Sequence, residues 1–313
     1  MPWLVDGVFL QGDKEGLIDL PAIDSRPPPA RIIHLVNPFR FLGGDCDDRT
    51  QALTYETMRR AREFSLDVPV HLAAVVAEAE RDCVPEAFDL AGTLNRTIDR
   101  IAEFEHPRPL PLLFDILELG TRYATELAGQ HGDAPEDVFL VYSNVDICLM
   151  PHFYGSVAGL VAHGFDAMTI NRRTIPPHPR ELGNLAKMYG EFGRSHQGYD
   201  CFVFSLAQFD RYVRSDAFVG GDFVARNLLY NMVANSTQMF MLRKAHLTFH
   251  VGDVREWSDP KFKDYRDYNM RQAIDIIMTL GNRDPAVMTK LIRFCHRNEE
   301  PIKFTKQDSV GAG

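Results

Sequence analysis

Residues 138 to 154, VFLVYSNVDICLMPHFY, carry the sharpest change of pattern in the chain. Val138 to Tyr142 form a short apolar run rich in β-branched and aromatic residues, the signature of a strand buried on both faces of a parallel sheet. The run ends in Ser143, Asn144 and Asp146. Pro151, Phe153, Val157, Leu160 and Val161 then recur at the three-to-four-residue spacing of a helix. Upstream, Leu113, Ile116, Leu117, Gly120, Ala124 and Leu127 make one helical stripe, with Gly129 and Gly132 as stop signals. A strand, helix, strand rhythm of this kind calls for right-handed crossovers onto a mostly parallel sheet.

The same reading extends along the chain. Trp3 to Leu10 is a strand candidate within an extension, residues 1–30, that closes on Pro27, Pro28 and Pro29. RIIHLVNPF is the first core strand and ends at Asn37 and Pro38. The acidic loop FLGGDCDDR leads to a helix with Thr50 as its cap and Leu53, Ala61 and Phe64 on one face. VPVHLAAVV is a second strand, and residues 78–109 form an irregular or helical excursion. FDAMTINRRTI, DCFVFSL and FMLRKAHLTFHVG are the later strands, the last with His246 and His250 on one face. A long loop around a short helix fills 176–198, the length at which loops serve as lids or binding segments. Two helices after Trp257, one on Ala273, Ile276, Ile277 and Leu280 and one near Ala286 to Cys295, form a small C-terminal helical appendage over 258–313, whose last dozen residues fray.

Composition narrows the classes. The 313 residues are 45% hydrophobic and carry a net charge of −9, which argues against broad contact with a nucleic-acid backbone. No apolar stretch is long enough for a transmembrane helix. Five scattered cysteines without a C-x-x-C pair fit reduced thiols, and with them a cytoplasmic setting.

Ligands of open α/β sheets sit beyond the carboxyl ends of the strands. The candidates there are Asn37, Asn144 with Asp146, Arg172 with Arg173, Asp222, and His246 with His250. Each has an ordinary structural job as well: turn shaping and capping for the Asx residues, a half-buried ion pair for the arginines, simple hydrogen bonding for the histidines. Their collection at one edge is what points to a site.

The chain resembles the nucleotide-sugar-dependent glycosyltransferases of the GT-A fold over residues 31–257. The resemblance lies in HLVNPF, in the buried strand closing on Asn144-Val145-Asp146, in Gly220-Gly221-Asp222 at a helix start, and in FHVGD. It implies a GT-A-like, mostly parallel twisted sheet flanked by helices. It also implies a nucleoside diphosphate-sugar donor such as a UDP-hexose, an acceptor hydroxyl, and a divalent ion, Mg²⁺ or Mn²⁺, held by Asp146 and His250. Asp222 would be the catalytic base of an inverting transfer. Asn37, Asn144, Arg172 and Arg173 would contact the donor. Asn144 stands where the family usually has a first aspartate, and it supplies an oxygen without a charge. A sugar nucleotidyltransferase is the alternative, but the acidic, late-glycine loop NPFRFLGGDCDDR suits it less. A glycosyltransferase-like protein without turnover is the other.

Overall fold

A computed structural model describes residues 3–12, 20–40, 49–252 and 259–302. The loop glycines and acids of 41–48, Cys46, Trp257 and the tail from 303 lie outside the described residues. The fold is mixed α/β. Nine strands form the main sheet: β1 (Trp3–Val5), β2 (Val8–Leu10), β3 (Arg31–Val36), β4 (Val70–Ala77), β5 (Asp89–Leu94), β6 (Val138–Ser143), β8 (Ala167–Ile170), β11 (Cys201–Ser205) and β12 (Met239–Leu242). Their order is β1-β2-β12-β8-β11-β6-β3-β4-β5. Only β1 and β11 run against the other seven, so the sheet is mostly parallel as expected.

Alternate residues of each central strand feed opposite layers. Ile33, Leu35, Leu140 and Tyr142 pack with α2 (Leu113–His131), α6 (Val224–Asn235), α7 (Lys263–Arg283) and α8 (Pro285–Arg297). Ile32, Val36, Phe139 and Val141 face α1 (Arg49–Phe64) and α3 (Phe153–His163). Gly120 is a glycine because α2 lies directly on β3: a Cβ there would fall 2.2 Å from Leu35 Cδ2. Gly132 ends α2 in the left-handed region at φ 73°.

Four short strands form a second sheet, β10 (Arg194–Ser195), β9 (Arg173–Ile175), β13 (Thr248–Val251) and β7 (Cys148–Leu149), in that order. This sheet changes two expectations. FDAMTINRRTI is not one strand: it leaves the main sheet after Ile170 and re-enters the second at Arg173. FMLRKAHLTFHVG divides likewise into β12 and β13, and His246 falls in the turn between them. The expected pairing of His246 and His250 on one strand face is therefore replaced by separate surroundings, since the His246 ring stacks edgewise on Phe192 at 5.1 Å. The polar residues Asn171-Arg172 and Arg243-Lys244 lie where the two segments leave the main sheet, but a polar pair alone does not show that a second sheet follows.

Other differences are local. Thr50 lies inside α1 rather than at its cap, and Phe64 is 71% exposed because α1 has reached its end there. The excursion at 78–109 contains β5 on the sheet edge. The hairpin β1–β2 extends the main sheet through β12. The short helix in 176–198 is α4 (Leu185–Gly190). Between β11 and α6 lies α5 (Leu206–Phe209). Cys148, Cys201 and Cys295 are free thiols, whereas Cys83 is disulfide-bonded. The expectation of five reduced thiols fails at Cys83, since cysteine spacing does not reveal which residues meet in space. The cytoplasmic expectation thereby loses its cysteine argument. Among the described residues no helix is long and apolar enough to cross a membrane.

Candidate functional site

Seven parallel strands place their carboxyl ends along one edge, and the antiparallel β11 begins there. Asn37 follows β3, Asn144 and Asp146 follow β6, Asn171 and Arg172 follow β8, and Asp200 precedes β11. The second sheet is built from the chain leaving this edge. β7 continues from the Asp146 turn, β9 from Arg172, and β13 joins them.

The pairing of β13 with β7 sets Phe249 opposite Cys148, which brings His250 beside the turn that holds Asp146. His250 Nε2 stands 3.3 Å from Asp146 Oδ2. The His250 Nδ1–H donates to the carbonyl of Gly252 at 2.7 Å, so Nε2 is the atom turned to the carboxylate. Burial pushes the Asp146 carboxyl up, but the hydrogen bond and charge of His250, with Arg172 behind it, outweigh burial and leave the group below the usual carboxylate range. Asn144 is exposed, and its carbonyl accepts the Ile147 N–H to close the turn.

A divalent ion fits these residues. Asp146 Oδ1 is buried with no hydrogen-bond partner, so an anionic oxygen there is left to be met by a cation. Among the described residues no group of three or more histidine, cysteine, aspartate or glutamate side chains is placed to hold a metal. Asp146 and His250 therefore make an incomplete set, of the kind that substrate phosphates complete around Mg²⁺.

The two arginines differ. Arg172 Nη1 donates to Asp200 Oδ1 at 2.7 Å in a buried ion pair. Arg173 is 1% exposed; its guanidinium donates to the carbonyls of Phe192, Gly193 and Lys244 and lies over the Phe192 ring at 4.0 Å. Arg173 thus ties the 190–194 loop to the second sheet. Asn37 is buried and its Nδ2 donates to the Val75 carbonyl at 2.7 Å, joining the ends of β3 and β4.

Asp222 reaches the same edge by another route. Helix α6 runs away from the edge toward Thr237 and Gln238, whose N–H groups donate to Asp166 just before β8. Its amino-terminal end, with Asp222, is consequently at the carboxyl edge of the sheet. The turn is unusual: Gly220 has φ 92° and Phe223 has φ 70°, a left-handed conformation that costs a non-glycine residue about 1–3 kcal/mol. Asp222 Oδ1 accepts the Phe223 N–H at 2.8 Å, and Oδ2 lies 3.6 Å from Arg266 Nε on α7. Buried Asn269 of α7 donates to the Phe218 and Asp222 carbonyls and accepts the Phe218 N–H, which holds the turn in place. Phe223, not Asp222, occupies the cap position. Among the described residues no hydrogen bond or ion pair links Asp222 to Asp146 or His250.

Three participants escaped sequence reasoning. Asp200 looks like a strand-leading acid in DCFVFSL, and only strand order shows that it adjoins Arg172. Asn269 had a signal, a polar residue one helical turn before the buried stripe Ala273, Ile276 and Leu280. His34 is wholly buried in β3; Nδ1 meets the Tyr154 hydroxyl and Nε2 the hydroxyl of Ser143, the residue before Asn144, each at 2.8 Å.

Scanned against protein-family models and against curated proteins, the chain matches none. Among solved structures it is similar to S. aureus TarS 1-349 in complex with UDP-GlcNAc, at 10% identity and a TM-score of 0.46, covering 90% of this chain and 79% of that one. It is also similar to a structure from Desulfovibrio desulfuricans described as a nucleotide-diphospho-sugar transferase, at 13% identity, a TM-score of 0.33, and 83% and 96% coverage. A third is the 4-diphosphocytidyl-2C-methyl-D-erythritol synthase of Anaerococcus prevotii, at 10% identity, a TM-score of 0.34, and 77% and 96% coverage. At these identities and scores none of the three assigns a family or an activity to this chain.

Proposed function

We propose that this chain is a glycosyltransferase that moves a hexosyl group from a nucleoside diphosphate-sugar, of the UDP type, to an acceptor hydroxyl. The observation that carries the reading is the Asp146–His250 contact, built at the carboxyl edge of a mostly parallel sheet with the Asp222 turn on the same edge. The C–O bond between the anomeric carbon and the diphosphate breaks, and a bond from the acceptor oxygen forms. Negative charge grows on the leaving diphosphate. Arg172 is the cationic group at hand to offset it. Asp146 and His250, with the neutral oxygen of Asn144, would hold Mg²⁺ or Mn²⁺, which supplies charge neutralisation on the diphosphate when bound.

In an inverting transfer Asp222 takes the acceptor proton. Its left-handed neighbour and the Asn269 clamp keep the carboxylate aimed, and Arg266 lies alongside it. Asn37 is assigned to the base or ribose through its amide oxygen. Arg173 supports this edge through the carbonyls it holds, with Arg172 as the direct donor contact.

The test is a panel of nucleoside diphosphate-sugars monitored for release of the nucleoside diphosphate. Slow donor hydrolysis supports the reading. Formation of nucleoside triphosphate and sugar phosphate from pyrophosphate would instead identify a nucleotidyltransferase, and no turnover with retained binding would identify an inactive relative.

A further inference from the structure

Residue register at the carboxyl edge gathers a set of atoms that the chemistry above leaves unused. Cys201 at the start of β11 lies opposite both Ser143 of β6 and Ile170 of β8. Asp200 directly precedes Cys201, while Asn144 and Asn171 directly follow Ser143 and Ile170, so the three residues leave the ladder at the same edge. Asp200 is 7% exposed; its Oδ1 accepts from Arg172 while its Oδ2 is buried with no hydrogen-bond partner. Asn171 is 1% exposed; its Nδ2 donates to the His196 carbonyl at 3.2 Å while its Oδ1 is likewise buried and unpartnered.

Both atoms, Asp200 Oδ2 and Asn171 Oδ1, accept hydrogen bonds. An unmet buried acceptor costs about 1–3 kcal/mol, so two of them on neighbouring strands mark a place where something else supplies donors. A second phosphate is disfavoured by the Asp200 carboxylate. A neutral polyhydroxyl group has what is missing, several O–H donors at fixed spacing on a rigid ring. We infer that Asp200 and Asn171 form the subsite for the hydroxyls of the transferred sugar, and that Asp200 selects which sugar is accepted. Arg172 then has two tasks: it fixes Asp200 through Oδ1, which leaves Oδ2 for the sugar, and it presents charge to the neighbouring diphosphate. The inference rests on the glycosyl-transfer reading and adds the residue that discriminates among donors. A site that satisfies a buried acceptor with a substrate hydroxyl rejects an analogue lacking that hydroxyl far more strongly than an apolar pocket rejects a lost methylene.

The experiment is calorimetric titration of wild type, Asp200→Asn and Asn171→Ala with UDP, GDP, ADP and CDP and with their hexose conjugates. Wild type binds one conjugate more tightly than its bare diphosphate. Asn171→Ala keeps the affinity for that diphosphate within about twofold of wild type and loses about tenfold for the conjugate, the worth of one buried hydrogen bond, while Asp200→Asn, which also alters the partner of Arg172, loses more for the conjugate than for the diphosphate. On wild type, donors deoxygenated at single ring positions show the same loss at one or two positions, a result that needs no variant to fold. Equal loss for diphosphate and conjugate, or no loss for either, overturns the inference while leaving glycosyl transfer standing. Failure of wild type to bind any of the diphosphates or conjugates overturns the glycosyl-transfer reading and the inference with it.

Discussion

His34 makes the buried floor of the site sensitive to acid, and the size of the effect follows from its surroundings. The ring lies in the middle of β3 between two hydroxyls, those of Tyr154 and Ser143, and burial pushes it from 6.5 down to about 3. Above pH 6.5 the ring is neutral in both the folded and the unfolded chain, and stability does not depend on it. Below 6.5 the unfolded chain binds a proton that the folded chain refuses until about pH 3, so stability falls as pH falls through that window. Each pH unit costs about 1.4 kcal/mol, or about 2 kcal/mol at pH 5. His34→Gln retains hydrogen-bonding groups and removes the titration. Urea unfolding of both proteins at pH 7.5 and pH 5 isolates the effect, because every other titrating group is common to the pair. The wild type should lose about 2 kcal/mol more than the variant over this interval. Equal losses, or a larger loss in the variant, would refute the reasoning. Because Ser143 directly precedes Asn144, donor binding in wild type should also weaken over this interval.

Arg173→Ala leaves three carbonyls without their donor and opens a cavity under Phe192. It should cost about 3 kcal/mol or more in unfolding free energy, whereas a free role on the donor alone would leave the melting temperature unchanged. Buried Glu300 accepts from Tyr199, Asn298, Arg226 and Tyr230. Glu300→Ala strands Arg226 and should destabilise by about 3–5 kcal/mol in a denaturant melt; a shift under 1 kcal/mol would show that this cluster does not hold the C-terminal segment to α6. Asp222→Asn should leave the dissociation constant of the donor within about twofold and slow transfer at least about 100-fold, the usual share of a general base. Unchanged transfer would remove Asp222 from the chemistry.

The architecture was legible wherever a pattern was long and bounded. The stripe from Leu113 ends at Gly132 in the structure, Val138 to Ser143 is a wholly buried strand, and the helix after Pro151 begins at Phe153. Asp146 and His250 were legible as candidates, and they do meet. What escaped depends on pairing rather than periodicity. In 165–175 the polar Asn171 and Arg172 stand between β8 and β9, but they read equally well as the end of one strand, and which sheet the chain enters next depends on pairing. β5, DLAGTL, lacks the β-branched run of an interior strand and lies on the sheet edge, half-exposed. Asp200 takes its meaning only from the reversed direction of β11, which places it beside Arg172. His34 sits inside an apolar strand, where a lone histidine is read as core filler until its two hydroxyl partners are known.

The decisive experiment is a crystal structure of the protein soaked, in the presence of Mn²⁺, with the nucleoside diphosphate that it binds best. Density for the diphosphate should lie against Asp146 and His250 at the carboxyl ends of β6 and β8, within reach of Arg172. Density elsewhere, for example in the cleft between α2 and α5 lined by Arg122 and Arg214, with the Asp146–His250 edge vacant, would contradict the assignment of this edge to the donor.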